Sequence, residues 1–517
     1  MQKKIFNISG PCFPDKHYMI PPQSRCSKVE KLIENEEYFV LHAARQSGKT
    51  TFLLDLVDRL NKQGHYKSLY ISLESIQDID SPDQGIPAII SLLMEEFQFF
   101  ITFDAQFLQT FNMLLYNNQF KFLLNYVCTH VDKPLVIFFD EIDCLTNGTL
   151  ISFLRQLRNG YVTRQLKPFV SSVGLVGMRN IRDYKCKIRD DKETLGSASP
   201  FNIVTEVFTL NNFTANEVHN LLKQYTDQTG QKFSEEIIHY LYHVTQGQPW
   251  LVNATVKEIV ESILPHNIND HIDIIHAQHS VQTIIDRRDT HIDSLLQRLK
   301  EERVRKVVEP VITGDHSGFD LLDDDYQYVL DLGILKIEKN YFVPANIIYE
   351  EVMIRTLSKM ADHQIKENIN PNKYLQKQSI RMKTLLSNFQ QFWRENSEIW
   401  VERYQYKEAA PHLILMAFLH RILNHGGSIT RELATGRGRM DLCIHYKNQR
   451  YPIEIKIRRN TKTITEGKKQ LCAYMDTLKC DKGWLIVFDQ RKSVSWTKKI
   501  FWKDARIKNK SIHIVGC

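Results

Sequence analysis

No apolar stretch in this 517-residue chain approaches the roughly 18 residues that would span a bilayer. The longest clean run, LILMAFL at 413–419, is core-sized. The opening MQKKIFNISGPCF is basic but lacks the apolar segment of a signal peptide, so a cytoplasmic chain without membrane association is expected. Nine cysteines include no C-x-x-C pair, which argues against a disulfide frame or structural zinc and for reduced thiols. Internal repeats and low-complexity tracts are absent as well. What remains is an ordinary globular composition, 43% hydrophobic and 25% charged, too long for one core and suited to three or four domains.

Charge is distributed unevenly. The net +7 conceals a tail, Arg431 to Cys517, with 21 Lys and Arg against 8 Asp and Glu, while the preceding residues are net acidic. A basic tail is either a solvated surface or a surface for a polyanion.

The clearest motif lies near the other end, in EEYFVLHAARQSGKTTFLLDLVDRL. An apolar run from Tyr38 to Leu41 predicts a buried strand, and an amphipathic helix is expected to begin near Lys49. Between them, Ala44, Arg45, Gln46, Ser47, Gly48, Lys49, Thr50 and Thr51 form a phosphate loop of the pattern G-x-x-x-x-G-K-[ST]. One glycine is missing, because Ala43 stands in the first position. Alanine is acceptable there only at negative φ. Backbone amides would cradle phosphate, Lys49 would reach the β/γ-phosphates, and Thr50 would coordinate Mg²⁺. A second run, KPLVIFFDEIDCL at 133–145, ends in two acids. Asp140 is expected in the Mg²⁺ shell, and Glu141 is expected to orient or activate the attacking water. The pair predicts an ATP-binding α/β domain with a parallel sheet.

With GPCFPDKHYMIPPQSR before the loop, VGMRNIRDYK at 176–185 and TQGQPWLVNA at 245–254, residues 5–360 resemble bacterial AAA-like ATPases related to the STAND signalling NTPases. The resemblance implies that Arg179 contacts the γ-phosphate as a sensor and that Pro249 packs against adenine from a helical lid. Domains are expected at 1–210 (ATPase core), 211–290 (lid), 291–358 (winged-helix-like), 359–394 (linker) and 395–517.

The last segment holds RMDLCIH and YPIEIKI, which read as two strands joined at Lys447-Asn448. By strand parity Glu454 and Lys456 share one face, Ile453, Ile455 and Ile457 take the other, and Asp441 is expected opposite as the hairpin's second acid. Two carboxylates suit Mg²⁺, and a lysine can position water and stabilise phosphorane charge. A plain salt bridge is the competing reading. Gln470 and Tyr474 follow one turn apart on a helix.

Residues 395–517 thereby resemble the Q-x-x-x-Y branch of the PD-(D/E)xK nuclease superfamily. That resemblance implies Asp441 and Glu454 as metal-binding acids, Lys456 as the catalytic lysine, and Gln470 with Tyr474 beside the site. It further implies an acid from the first helix, Glu408, with Glu432 as its rival. The expectation is an ATP-dependent or ATP-gated, Mg²⁺-dependent nuclease, with Mn²⁺ as a substitute metal. Its expected partners are DNA, or RNA as the other candidate, an ATP-dependent homo-oligomer and a protein trigger or effector. Similar architectures imply defence against foreign DNA. The alternative is a regulatory ATPase switch whose C-terminal domain binds nucleic acid without cutting.

Overall fold

The computed structural model describes residues 4–517 apart from 27, 179–202, 265–270, 288, 314–322, 363–372, 404–410, 412–413, 417, 420–426, 431–441, 459–462, 490, 492–493 and 508. The chain divides into two compact units, one of Met1–Leu295 with Asp320–Lys336 and Ala345–Ile348, the other of the remaining residues.

The first unit is built on five parallel strands: β1 (Tyr38–His42), β2 (Lys67–Ser72), β3 (Leu135–Asp140), β4 (Ser172–Gly177) and β5 (Val204–Thr209). Their order is β2-β3-β4-β1-β5, so β4 separates the strand before the phosphate loop from the strand that ends in acids. β1, β3 and β4 are buried along their whole length. They are apolar and rich in β-branched and aromatic residues because helices cover both faces. On one face Phe39, Leu41 and Phe138 meet Phe52, Leu53 and Leu56 of the helix Lys49–Gln63. On the other, Val40, Ile137 and Phe139 meet the helices Pro82–Phe97, Tyr116–His130 and Asn147–Thr163.

The expected lid region is helical, with Ala215–Thr229, Glu235–Thr245, Pro249–Lys257 and Ile274–Asp286. Thr214 and Glu217 close a capping box on the first of these, and Gly230 ends it at φ 80°. An N-terminal strap packs into the lid's core through Phe6, Tyr18 and Ile20. After the lid come three helices, Thr290–Arg298, Glu302–Thr313 and Asp324–Asp331, then β6 (Leu335–Glu338) and β7 (Tyr341–Pro344). The sequence pattern predicts only two helices before this hairpin.

The second unit contains a mixed six-stranded sheet of β8 (Gly427–Thr430), β9 (Leu442–Tyr446), β10 (Gln449–Arg458), β11 (Lys482–Asp489), β12 (Phe501–Ile507) and β13 (Lys510–Gly516). Its order is β12-β13-β11-β10-β9-β8. β8, β9 and β10 form an antiparallel meander, and β11 returns parallel to β10 through the crossover helix Thr463–Thr477. The helix Met382–Arg403 begins inside the 359–394 span expected as linker and continues into the expected C-terminal domain. Its Phe389 meets Phe488 of β11, and Gln390 Nε2 donates to the carbonyls of Gly516 and Phe501 at 2.6 and 3.2 Å. Those contacts supply the anchoring that a linker lacks.

Gly247 is the sharpest local constraint in the lid. It has φ +69°, and a Cβ there would lie 1.9 Å from the Phe213 carbonyl oxygen, while the Phe213 amide donates to the Gly247 carbonyl at 2.8 Å. Gly230 has a similar φ but open space around it. Gly247→Ala should therefore cost about 2–4 kcal/mol and Gly230→Ala only about 1 kcal/mol. Thermal unfolding of both variants checks this, and equal midpoints would contradict it.

Candidate functional site

At the carboxyl end of β1 the chain turns into the phosphate loop. Ala43 is absent from the residues with positive φ, as an alanine in that position requires, while Gln46 adopts φ 57° and Gly48 φ 90°. Gly48 caps the helix Lys49–Gln63, whose first N–H groups suit an anion. A Cβ at Gly48 would come within 3.0 Å of Arg25, a cation that no sequence motif singles out. Burial brings the Arg25 guanidinium down to about 10, against the pull of Glu217.

Lys49 Nζ donates to the carbonyls of Ala43 and Ala44 at 2.8 and 3.0 Å. Burial lowers its pKa, opposed chiefly by Asp140 and then by Asp143 and Glu141. Thr50 Oγ1 donates to Asp140 Oδ2 at 2.9 Å, and the Tyr70 hydroxyl donates to the same oxygen at 3.1 Å. A hydroxyl and a carboxylate oxygen this close fit a magnesium ion that completes its shell with phosphate and water. Such an ion would neutralise phosphate charge, while Lys49 orients the phosphate chain.

Glu141 follows in the left-handed region at φ 58°, its amide donating to Asp140 Oδ1 at 2.9 Å. That conformation is costly for a glutamate and turns the residue off the end of β3. Burial raises its pKa, reinforced by Glu74 and Asp140 and offset by Lys49 and Arg45. A carboxylate displaced upward in this way is a better proton acceptor for water. Asp143, which also lines the cavity, accepts from the Met178 amide. Its only signal in the sequence is that it stands as a third acid in FFDEID.

These groups surround a cavity of about 460 Å³, the size of a nucleotide-class ligand site. Its other wall consists of the strap (Asn7, Ile8, Pro11, Cys12) and the start of the helix Pro249–Lys257. Pro249 is buried at the first turn of that helix. Cys12 N donates to Thr51 Oγ1 at 3.0 Å, joining strap to loop, and Trp250 Nε1 donates to the Ile8 carbonyl at 2.9 Å, joining strap to lid.

The loop is also joined directly to the lid and to the helix Thr290–Arg298 after it. Gln248 Nε2 lies 3.5 and 3.4 Å from the carbonyls of Arg45 and Gln46. His291 Nδ1 lies 2.7 Å from Gln46 Oε1, and its ring stacks on Trp250 at 4.7 Å. Burial, helped by Arg45, drops the His291 pKa to about 3, so the neutral ring donates from Nδ1 to the amide oxygen. Behind the loop, His42 Nδ1 stands 3.8 Å from Asp331 Oδ1, and a Cβ on Gly333 would meet Ala44. Nothing in the sequence marks this clamp, because its members come from separated segments. Arg179 lies outside the described residues, two positions after β4 ends.

In the second unit, β10 ends at Arg458, and Glu454 and Lys456 share the face covered by the crossover helix. Glu454 is fully buried, and its Oε1 is 2.6 Å from Lys456 Nζ. Gly467 makes room for the lysine, since a Cβ there would lie 3.0 Å from Lys456 Cγ and 2.8 Å from Leu485 Cδ1. At the strand ends Asp489 sits near Arg458 at 3.8 Å and Arg491 at 2.7 Å. The Asp489 pKa is lowered overall, burial pushing upward and the Arg491 hydrogen bonds pulling it down further.

Asp441, Glu408 and Glu432 lie outside the described residues. Gln470 is exposed, and no described hydrogen bond joins it to Glu454 or Lys456. Tyr474 packs instead against Cys443 and Leu478. Among the described residues, no group of three or more His, Cys, Asp and Glu is arranged to hold a metal ion.

A parallel sheet with a phosphate loop after β1 and adjacent acids after β3 defines a P-loop ATPase-like domain. The chain belongs to the AAA-like domain family, whose model matches residues 15–354. Residues 381–492 match a second family described as Domain of unknown function (DUF8371). No curated protein matches the chain. Among solved structures, a Walker-type ATPase of Pyrococcus abyssi is 13% identical with a TM-score of 0.47, covering 67% of this chain and 99% of that one. Cdc6p of Pyrobaculum aerophilum is 13% identical with a TM-score of 0.36, covering 66% and 93%. A point variant of RuvB from Thermotoga maritima is 11% identical with a TM-score of 0.33, covering 63% and 92%. No helix among the described residues is long and apolar enough to cross a membrane.

Glu141→Gln should bind ATP as wild type does but hydrolyse it at least 100-fold more slowly, since the amide cannot accept the water's proton. In wild type the carboxylate is the active form, so activity should fall as pH drops through a pKa above the usual 4.5. Phosphate release against pH, with titration calorimetry for binding, checks both. An acid limb unchanged in Glu141→Gln would remove this residue from the reaction.

Proposed function

We propose that this protein is an ATP-gated, Mg²⁺-dependent nuclease acting on DNA, its AAA-like unit controlling a phosphodiesterase site in the second unit. The carrying observation is the pairing of buried Glu454 with half-buried Lys456 on β10, between antiparallel β9 and parallel β11, under a glycine of the crossover helix. A meander, a crossover helix and a parallel return strand are what the PD-(D/E)xK resemblance calls for, and a core-facing acid beside a lysine is costly to keep without a use. In this reading Asp441 and Glu454 share a metal, and Glu408 supplies a further acid. Lys456 steadies the water and the charge that develops on phosphorus.

A second reading, an ATPase switch that holds nucleic acid without cutting it, is favoured by one specific observation. Glu454 is fully buried and already paired, while Gln470 faces outward. The basic tail serves either reading, because phosphate contacts require only positive charge. The trigger and the role in defence rest on the resemblance alone.

The test is plasmid nicking by the full chain in Mg²⁺ or Mn²⁺, with and without ATP. Under the nuclease reading, Glu454→Gln and Lys456→Met each lose nicking by about 100-fold or more while ATPase rates stay within about twofold. Wild type that never nicks but binds DNA with steep salt dependence would establish the second reading instead.

A further inference from the structure

We propose that Asn253 reads the base of the nucleotide, its side-chain oxygen accepting from the exocyclic amine of adenine and so selecting ATP over GTP. The inference rests on the nucleotide-site reading above and specifies its ligand further.

The cavity is chemically divided. One end carries Lys49, Thr50, Asp140 and Glu141, the groups that deal with phosphate, metal and water. The other end offers Ile8, Pro11 and Pro249, an apolar wall suited to a flat ring. Cys12 N bonded to Thr51 Oγ1 fixes where the two ends meet, just past the loop threonine. A triphosphate anchored at Lys49 therefore extends its base toward the strap and the helix Pro249–Lys257.

Asn253 lies on that helix, one turn after Pro249, and lines the cavity. Its Nδ2 donates to the Pro249 carbonyl at 2.8 Å. A carbonyl only accepts, so this bond fixes which end of the amide is which. The remaining end, Oδ1, has no hydrogen-bond partner among the described residues, although Asn253 is only 6% exposed. A buried amide oxygen left unmatched is costly, and one in the wall of a ligand cavity is explained when the ligand supplies the donor. Adenine carries an amine at C6. Guanine carries a carbonyl there, which would set acceptor against acceptor. The strap's own amide oxygen is already engaged, because Asn7 Oδ1 accepts from the Ser9 amide at 3.1 Å. Among the described residues, Asn253 is thus the buried side-chain acceptor left over at the base end.

The experiment compares ATP, GTP and purine riboside triphosphate, which lacks the C6 amine, by titration calorimetry on the full chain with Mg²⁺. Wild type should bind ATP about 10-fold or more tightly than either analogue. In Asn253→Leu, which keeps the bulk and removes the acceptor, ATP and the riboside analogue should bind within about twofold of each other. Asn253→Ala, which also removes the acceptor, serves the same purpose if the leucine variant fails to fold by circular dichroism. Equal binding of ATP and the riboside analogue by wild type would overturn the inference while leaving the nucleotide site intact, as would full discrimination retained in either folded variant. Wild type that binds none of the three triphosphates would overturn the nucleotide reading and this inference with it.

Discussion

A strand buried on both faces can carry a charge only where it ends or where a partner waits for it. This constraint organises both units. In the five-stranded sheet, β1 and β3 are apolar until their carboxyl ends, so Lys49, Asp140 and Glu141 gather along one edge. The insertion of β4 sets β1 and β3 two strand spacings apart, roughly 10 Å, and Thr50 spans that gap to reach Asp140 at 2.9 Å. In the six-stranded sheet the rule is met differently. Glu454 is inside the strand, and the charge is tolerated because Lys456 lies at 2.6 Å.

Local pattern makes much of this legible. The helix begins at Lys49, as the loop spacing requires, and β3 ends at Asp140, where the apolar run stops. Parity alone assigns Glu454 and Lys456 to one face of β10, because the period of a strand is insensitive to what surrounds it. The left-handed φ of Glu141 has no sequence signal, since it depends on how β3 meets the following turn.

The places where pattern misleads share a cause. The helix Met382–Arg403 begins inside the 359–394 span expected as linker, where Phe389 and Gln390 bind it to the sheet. The nuclease resemblance implies Gln470 near the acids. The helix is instead set by Gly467 over Lys456, and that rotation turns Gln470 to solvent. Contacts between distant segments decide such matters, and short-range spacing does not contain them.

Gln248 at the Arg45 and Gln46 carbonyls, and His291 at the side chain of the left-handed Gln46, tie the loop to the lid and to the helix that follows it. Coupling of this kind is symmetric in free energy. Whatever work a phosphate does in shifting the loop is returned as torque on the lid, and anything that grips the lid from outside tunes the hold on phosphate by the same amount. With nucleotide in the cavity, a partner gripping the lid's surface would change the hold on phosphate without touching the nucleotide.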